Sequence, residues 1–128
     1  LLPGALELCR QVAGNHKLYI LTNAGASVQR QRFERSPIAS FFQGVFISED
    51  IGCGKPSREY FDYVFRVVPE LNPDNALVIG DSLSSDIQGA NNAGLPCCWF
   101  NPKALPRPDH LRIDYEIRTL EELLPIVS

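Results

Sequence analysis

Val78-Ile-Gly-Asp-Ser-Leu-Ser-Ser-Asp-Ile-Gln-Gly-Ala-Asn-Asn-Ala-Gly94 is the stretch from which the fold is read. It begins as an apolar strand over 76–79 and turns at Gly80. Two carboxylates, Asp81 and Asp86, then stand around the start of a helix. Gly89, Ala90, Ala93 and Gly94 give that helix a small-residue face, which predicts close packing on a sheet. Open α/β sheets place their chemistry where a strand ends in such a loop. Two carboxylates five apart, near backbone N–H groups, suit a hard cation such as Mg²⁺. The plainer reading is that Asp81 caps a turn and Asp86 sits in a first helical turn, favoured by the helix dipole.

At 128 residues the whole chain, 1–128, reads as one domain. Roughly two thirds of the unfolded surface is expected to be buried at this size, enough for a core without disulfides. The net charge is −3, with both signs mixed along the chain. No basic run points to nucleic acid, no apolar run is long enough to cross a membrane, and no signal peptide is read. The four cysteines, Cys9, Cys53, Cys97 and Cys98, make no C-x-x-C pair. Cys9 and at least one of the adjacent pair read as small core residues, and a reducing cytoplasm is the expected compartment. Cys53, two residues from Lys55, is weighed as a reactive thiol against an ordinary loop residue. The sequence contains no methionine and opens on Leu1-Leu2-Pro3-Gly4. It is therefore expected to be a piece of something longer.

Strand and helix signals alternate. A helix over about 5–13 carries Ala5, Leu8, Cys9 and Val12 on one face and stops at Gly14. Lys17-Leu-Tyr-Ile-Leu-Thr22 reads as a buried strand, followed by a turn at Asn23 and a polar helix over 27–35. A helical turn is expected over 38–42, a strand over 44–48 and a loop over 49–56. Ser57 caps a helix that buries Tyr60, Phe61, Val64, Phe65 and Val68. After the 76–94 stretch, Pro96-Cys-Cys-Trp-Phe100 reads as a fourth strand and 113–117 as a short fifth. Between them lies an irregular proline-rich segment. Thr119-Leu-Glu-Glu122 is a capping box for a last helix with Leu120, Leu123, Leu124 and Val127 inward. The alternation predicts a doubly wound, Rossmann-like α/β fold: a mostly parallel sheet between two helical layers.

In such a sheet three strand ends share one edge. They offer Thr22 and Asn23, then Lys55 in the following loop, then Asp81 and Asp86. A hydroxyl and backbone N–H groups donate to phosphate oxygens, an ammonium neutralises charge, and carboxylates hold a cation. Phosphoryl transfer is mostly positioning and electrostatics, which these parts supply. Singly, Thr22 reads as an ordinary strand-end residue and Lys55 as a solvated lysine. Their order and spacing carry the functional reading.

Leu21-Thr22-Asn23, Gly54-Lys55-Pro56 and Gly80-Asp81-x4-Asp86 resemble motifs two, three and four of the haloacid dehalogenase (HAD) superfamily, subfamily IA. Ile47-Ser-Glu-Asp50, Phe61-Asp-Tyr63 and Asn92-Ala-Gly-Leu-Pro-Cys-Cys-Trp99 most resemble its pyrimidine-nucleotide 5′-nucleotidase branch. The resemblance implies a Mg²⁺-dependent phosphatase, acting on nucleoside monophosphates through an aspartyl-phosphate. It implies that Thr22 and Asn23 bind the phosphoryl group and that Lys55 steadies the nucleophile and the phosphate. It further implies that Asp81 ligates Mg²⁺ directly, that Asp86 acts through water or as a further ligand, and that Ser82 and Ser85 orient the loop.

The pattern departs from the family at one point. The Asp-x-Asp motif that supplies the nucleophile and general acid occurs nowhere in the chain. The chain therefore resembles the C-terminal part of a core domain without the first core strand and cap, and by itself is expected to be inactive. In the family that first strand lies in mid-sheet. The strand over 18–22 is thus expected either paired directly to 76–81, in the order 2-1-3-4-5, or separated from it by one strand's width. An N-terminal segment or second chain would fill the second arrangement, and a small phosphorylated molecule is the expected substrate. Two other readings stand beside this one: a 2-haloacid dehalogenase, and a non-catalytic α/β module that binds phosphate or a partner.

Overall fold

Every apolar run singled out in the sequence becomes a parallel strand. The computed structural model describes residues 4–23 and 34–127. The expected polar helix over 27–35 falls mostly on residues 24–33, outside the described residues. The chain divides into two compact units, Leu1–Gly52 with Leu120–Ser128, and Cys53–Thr119.

In the first unit, helix α1 (Ala5–Ala13) begins after Gly4, whose φ of 82° is a left-handed conformation that glycine adopts without strain. Val12 is buried; Leu8 and Cys9 on the same face are only half-buried. Strand β1 (Leu18–Thr22) pairs in parallel with β2 (Phe42–Ile47) from Leu18↔Phe42 to Thr22↔Ile47, with a bulge after Leu18. Every residue of β1 is half-buried, so the expected fully buried strand is corrected. The helical turn before β2 is a 3₁₀ turn, Ala39–Phe41. The expected loop over 49–56 starts instead with one helical turn, α2 (Ser48–Ile51), closed by Gly52 at φ 90°. The chain end supplies a 3₁₀ turn, Leu120–Leu123, which buries Leu123.

In the second unit, helix α3 (Arg58–Val67) starts at Ser57, whose Oγ accepts the Glu59 N–H at 3.2 Å. Its inner face buries Tyr60, Phe61 and Val64, with Val68 just beyond, as the spacing predicts, whereas Phe65, expected to be buried with them, is half-buried. Three parallel strands follow: β3 (Val78–Gly80), β4 (Cys97–Phe100) and β5 (Tyr115–Ile117), with Gly80 opposite Trp99 and Trp99 opposite Glu116. Cys97 and Cys98 are fully buried and in no disulfide, and burial pushes the Cys97 thiol up from its ordinary value. Asn101 pins the irregular segment after β4. Its Nδ2 donates to Leu105 O and Glu116 Oε2, and its Oδ1 accepts the Leu105 N–H.

Among the described residues the strands form two sheets, β1–β2 and β3–β4–β5, which keep the neighbours of the expected order 2-1-3-4-5 except that, of the two arrangements expected for 18–22, direct pairing to 76–81 is not made. The strand over 76–79 is shifted to Val78–Gly80, and its Ile79 is exposed.

Helix α4 (Gln88–Ala93) follows β3 through an irregular turn, and Gly89 on its small face lies against Phe61 of α3. A Cβ at Gly89 would lie 2.7 Å from Phe61 Cε2 and 3.4 Å from Pro56 Cα. Gly89→Ala is therefore expected to destabilise by about 1–2 kcal/mol, overpacking outweighing the helix propensity gained. Urea denaturation measures this. An unchanged or higher midpoint would show that Phe61 yields freely. Among the described residues no helix is long and apolar enough to cross a membrane.

Candidate active site

The loop after β3 is built around Ser82. Its Oγ accepts the Ser85 N–H at 3.2 Å, and its carbonyl accepts the N–H groups of Asp86 at 3.0 Å and Ile87 at 3.1 Å. The second carbonyl contact spans five residues, so Leu83–Ile87 is a single π turn rather than the start of an α-helix. This corrects the expected helix start. The Asp86 carboxylate is brought back toward the loop, where its Oδ2 accepts the Ser82 N–H at 3.2 Å. There it lies against Gly80. A Cβ on Gly80 would fall 2.5 Å from Asp86 Cβ and closer still to the carboxylate. A side chain at position 80 and Asp86 in this position exclude one another.

Lys55 reaches the same carboxylate from the turn that precedes α3. Its Nζ donates to Asp86 Oδ1 at 2.5 Å, and the two side chains keep only 10% and 13% of their exposure. The Lys55 turn is held on both sides. The Ser57 N–H donates to Gly54 O at 2.9 Å, and Asn92 Nδ2 of α4 donates to Pro56 O at 2.9 Å. The Lys55–Pro56 peptide is cis.

Asp81 differs from Asp86 in every respect. It is exposed, and its carboxylate makes no hydrogen bond or ion pair with a described residue. Its backbone is nevertheless fixed, because the buried Trp99 indole Nε1–H donates to Asp81 O at 3.2 Å. The loop thus presents one anchored, cation-paired carboxylate and one open carboxylate on an immobilised backbone.

The second unit therefore brings together Lys55, Ser82, Ser85 and Asp86, with Asp81 adjoining Ser82 in the same loop. Thr22 and Asn23 stand in the first unit: Thr22 ends β1 opposite Ile47, and Asn23 is exposed just beyond it. Cys53 is a half-buried free thiol. Sequence reasoning missed Trp99 and Asn92 as supports of this loop, and it read Gly80 only as a turn. The one available signal was the burial expected of the strand containing Trp99, since a buried indole N–H needs an acceptor.

No cluster of three or more His, Cys, Asp or Glu side chains suited to a metal occurs among the described residues. The donor set still fits Mg²⁺. That ion takes hard oxygen ligands, keeps several waters and is commonly held by one or two carboxylates plus substrate phosphate. Asp81 has an open carboxylate and Asp86 a fixed one in the same loop.

The sequence model of the HAD-hydrolase-like family matches residues 52–117. The HAD-hydrolase YfnB of Bacillus subtilis is 42% identical over all of this chain and 54% of its own length. A crystal structure of YfnB bound to magnesium superposes with a TM-score of 0.97, covering 100% of this chain and 56% of that one. The pyrimidine 5′-nucleotidase YjjG of Escherichia coli is 35% identical over 95% of this chain and 54% of its own length. A 2-haloacid dehalogenase structure from Pseudomonas syringae is 30% identical, with a TM-score of 0.84, over 99% of this chain and 52% of that one. The chain spans about half the length of the curated relatives it matches.

Proposed function

Because this chain belongs to the HAD-hydrolase-like family, with its Rossmann-like α/β fold, we propose that the protein is a Mg²⁺-dependent phosphoric monoester hydrolase acting on nucleoside monophosphates. The observation that carries the reading is the nearly buried ion pair between Lys55, in the turn before α3, and Asp86, in the loop that also presents the open Asp81 carboxylate. A fixed ammonium beside a loop with two carboxylates supplies the parts that a transferring phosphoryl group and a divalent cation require. The pyrimidine 5′-nucleotidase YjjG, at 35% identity, supports the nucleotide class.

In this reading Asp81 holds Mg²⁺ directly, and Asp86 acts through water or as a further ligand. When bound, the ion neutralises the phosphate charge and polarises its oxygens. Lys55, held in place by Asp86, steadies the negative charge of the phosphate and of the attacking carboxylate. The resemblance assigns the Thr22 hydroxyl and the Asn23 N–H, both in the first unit, to phosphate binding. Ser82 holds Asp86 through its N–H and closes the loop through Ser85. The nucleophile is an aspartate outside these 128 residues, in which no Asp-x-Asp occurs. Its carboxylate attacks phosphorus as the P–O bond to the nucleoside breaks. The leaving oxygen takes a proton from the general acid of the same Asp-x-Asp motif. Water then cleaves the aspartyl-phosphate to free the carboxylate and inorganic phosphate. These 128 residues alone are thus inactive.

The test is phosphate release from nucleoside 5′-monophosphates by the full-length protein with Mg²⁺. Turnover is expected, abolished by chelation and lowered about a hundredfold or more by Asp81→Ala. The resemblance to the Pseudomonas syringae dehalogenase favours a second reading, whose signature is metal-independent halide release from a 2-haloacid. That result would overturn the phosphatase proposal. Silence toward both substrate classes would leave the non-catalytic module.

A further inference from the structure

We propose that Trp99 is a positioning residue for the metal ligand Asp81, and that its indole N–H is coupled to divalent-cation binding. The inference rests on the metal-site reading above. Trp99 is the chain's only tryptophan, 1% exposed, in the strand next to β3 and opposite Gly80. Its Nε1–H donates to the carbonyl of Asp81, the residue whose own carboxylate is open.

Each other part of the loop has a local anchor. Ser82 binds Ser85, Asp86 and Ile87 through its Oγ and carbonyl, and Asp86 is tied to Lys55 and to the Ser82 N–H. The Asp81 carbonyl is the exception. The Ser82 N–H of the same peptide is held within the loop by Asp86, and the indole is the hydrogen bond that ties the Asp81 carbonyl to another strand. A metal ligand gains affinity when a neighbouring group fixes its orientation beforehand. The coupling also runs the other way. A cation that draws on Asp81 polarises its peptide and alters the indole hydrogen bond.

A buried indole also needs an acceptor for packing reasons alone. The two roles differ in what they predict. A purely structural bond costs stability when lost and leaves cation affinity unchanged. A positioning bond costs affinity at matched stability.

The experiment is Mg²⁺ titration of the full-length protein by calorimetry, comparing wild type, Trp99→Phe, Val64→Ala and Asp81→Ala. Phenylalanine keeps an aromatic ring and removes the donor, whereas Val64→Ala lowers stability from the α3 core, away from the loop. Trp99→Phe is expected to weaken Mg²⁺ binding about threefold to tenfold, the equivalent of one ordinary hydrogen bond. Val64→Ala is expected to bind as wild type does. The wild-type protein gives a second readout that needs no Trp99 variant to fold. Mg²⁺ is expected to shift the Trp99 indole N–H resonance, and the shift is expected to vanish in Asp81→Ala. Unchanged affinity in Trp99→Phe, or an indole resonance indifferent to Mg²⁺ while the wild type binds it, would overturn the role of Trp99 and leave the metal site intact. Equal Mg²⁺ affinity in wild type and Asp81→Ala would instead overturn the metal-site reading, and the Trp99 inference with it.

Discussion

Gly80→Ala is expected to lower turnover of the full-length protein about a hundredfold or more, because a displacement of about 1 Å at a reacting centre has that effect. The new Cβ would lie 2.5 Å from Asp86 Cβ and inside contact distance of the carboxylate. Rotating the carboxylate would not relieve the clash, because the Cβ to which it is attached is itself too close. The π turn must move as a body, carrying Asp86 away from Lys55 Nζ and from the Ser82 N–H. Stability is expected to fall by about 1–3 kcal/mol, as for other overpacked sites. Phosphate release and thermal unfolding on the same preparations measure the two effects. Near-normal turnover in Gly80→Ala would mean that the position of Asp86 does not matter to the reaction.

Lys55→Met removes the cation and leaves the Asp86 carboxylate nearly buried without it. The expected cost is about 2–4 kcal/mol, at the lower end for a broken buried pair because some solvent screening remains. Turnover is expected to fall about a hundredfold or more, since in the proposed mechanism the ammonium steadies the charge of the transferring phosphate. Asp86→Asn keeps the acceptor for the Ser82 N–H and removes the charge. The double variant Lys55→Met/Asp86→Asn is expected to be more stable than the two single losses summed, by about 1–3 kcal/mol of coupling. Turnover is not expected to recover in it, because charge balance is restored without restoring the ammonium. A loss below about 1 kcal/mol in Lys55→Met would mark an ordinary solvated ion pair.

Much of this loop was legible in the sequence, for specific reasons. The apolar run before Gly80 made a strand, and an acidic loop at the end of a parallel strand is a place for chemistry. The spacing Gly80-Asp81-x4-Asp86 and the Gly54-Lys55-Pro56 turn identified the residues that the second unit brings together. Ser57 was read correctly as a cap because a serine before an apolar helical pattern has few other uses.

What was not legible depends on partners that periodicity does not name. The small face of α4 was assigned to a sheet, and the contact of Gly89 with Phe61 was not read, because spacing shows that a face is narrow and not what lies against it. The π turn depends on one carbonyl, Ser82 O, accepting two N–H groups, and no residue type announces that. Trp99 was read only as part of the fourth strand, and only its acceptor revealed a tie to Asp81. A strand has two hydrogen-bonding edges, and apolar patterning does not say which neighbour takes either. The pairs β1–β2 and β3–β4–β5 follow the expected strand order, and what takes the second edge of β1 was beyond the sequence.

The central claim is that the loop 81–86 and Lys55 form a site for a cation and a phosphate. Its most direct test is an anomalous difference map from crystals of the full-length protein soaked in Mn²⁺, which shares the carboxylate and water preferences of Mg²⁺. The account predicts one dominant peak at coordinating distance from the Asp81 carboxylate, with Asp86 beside it or one water away. A strong peak elsewhere, with none at Asp81, would contradict it.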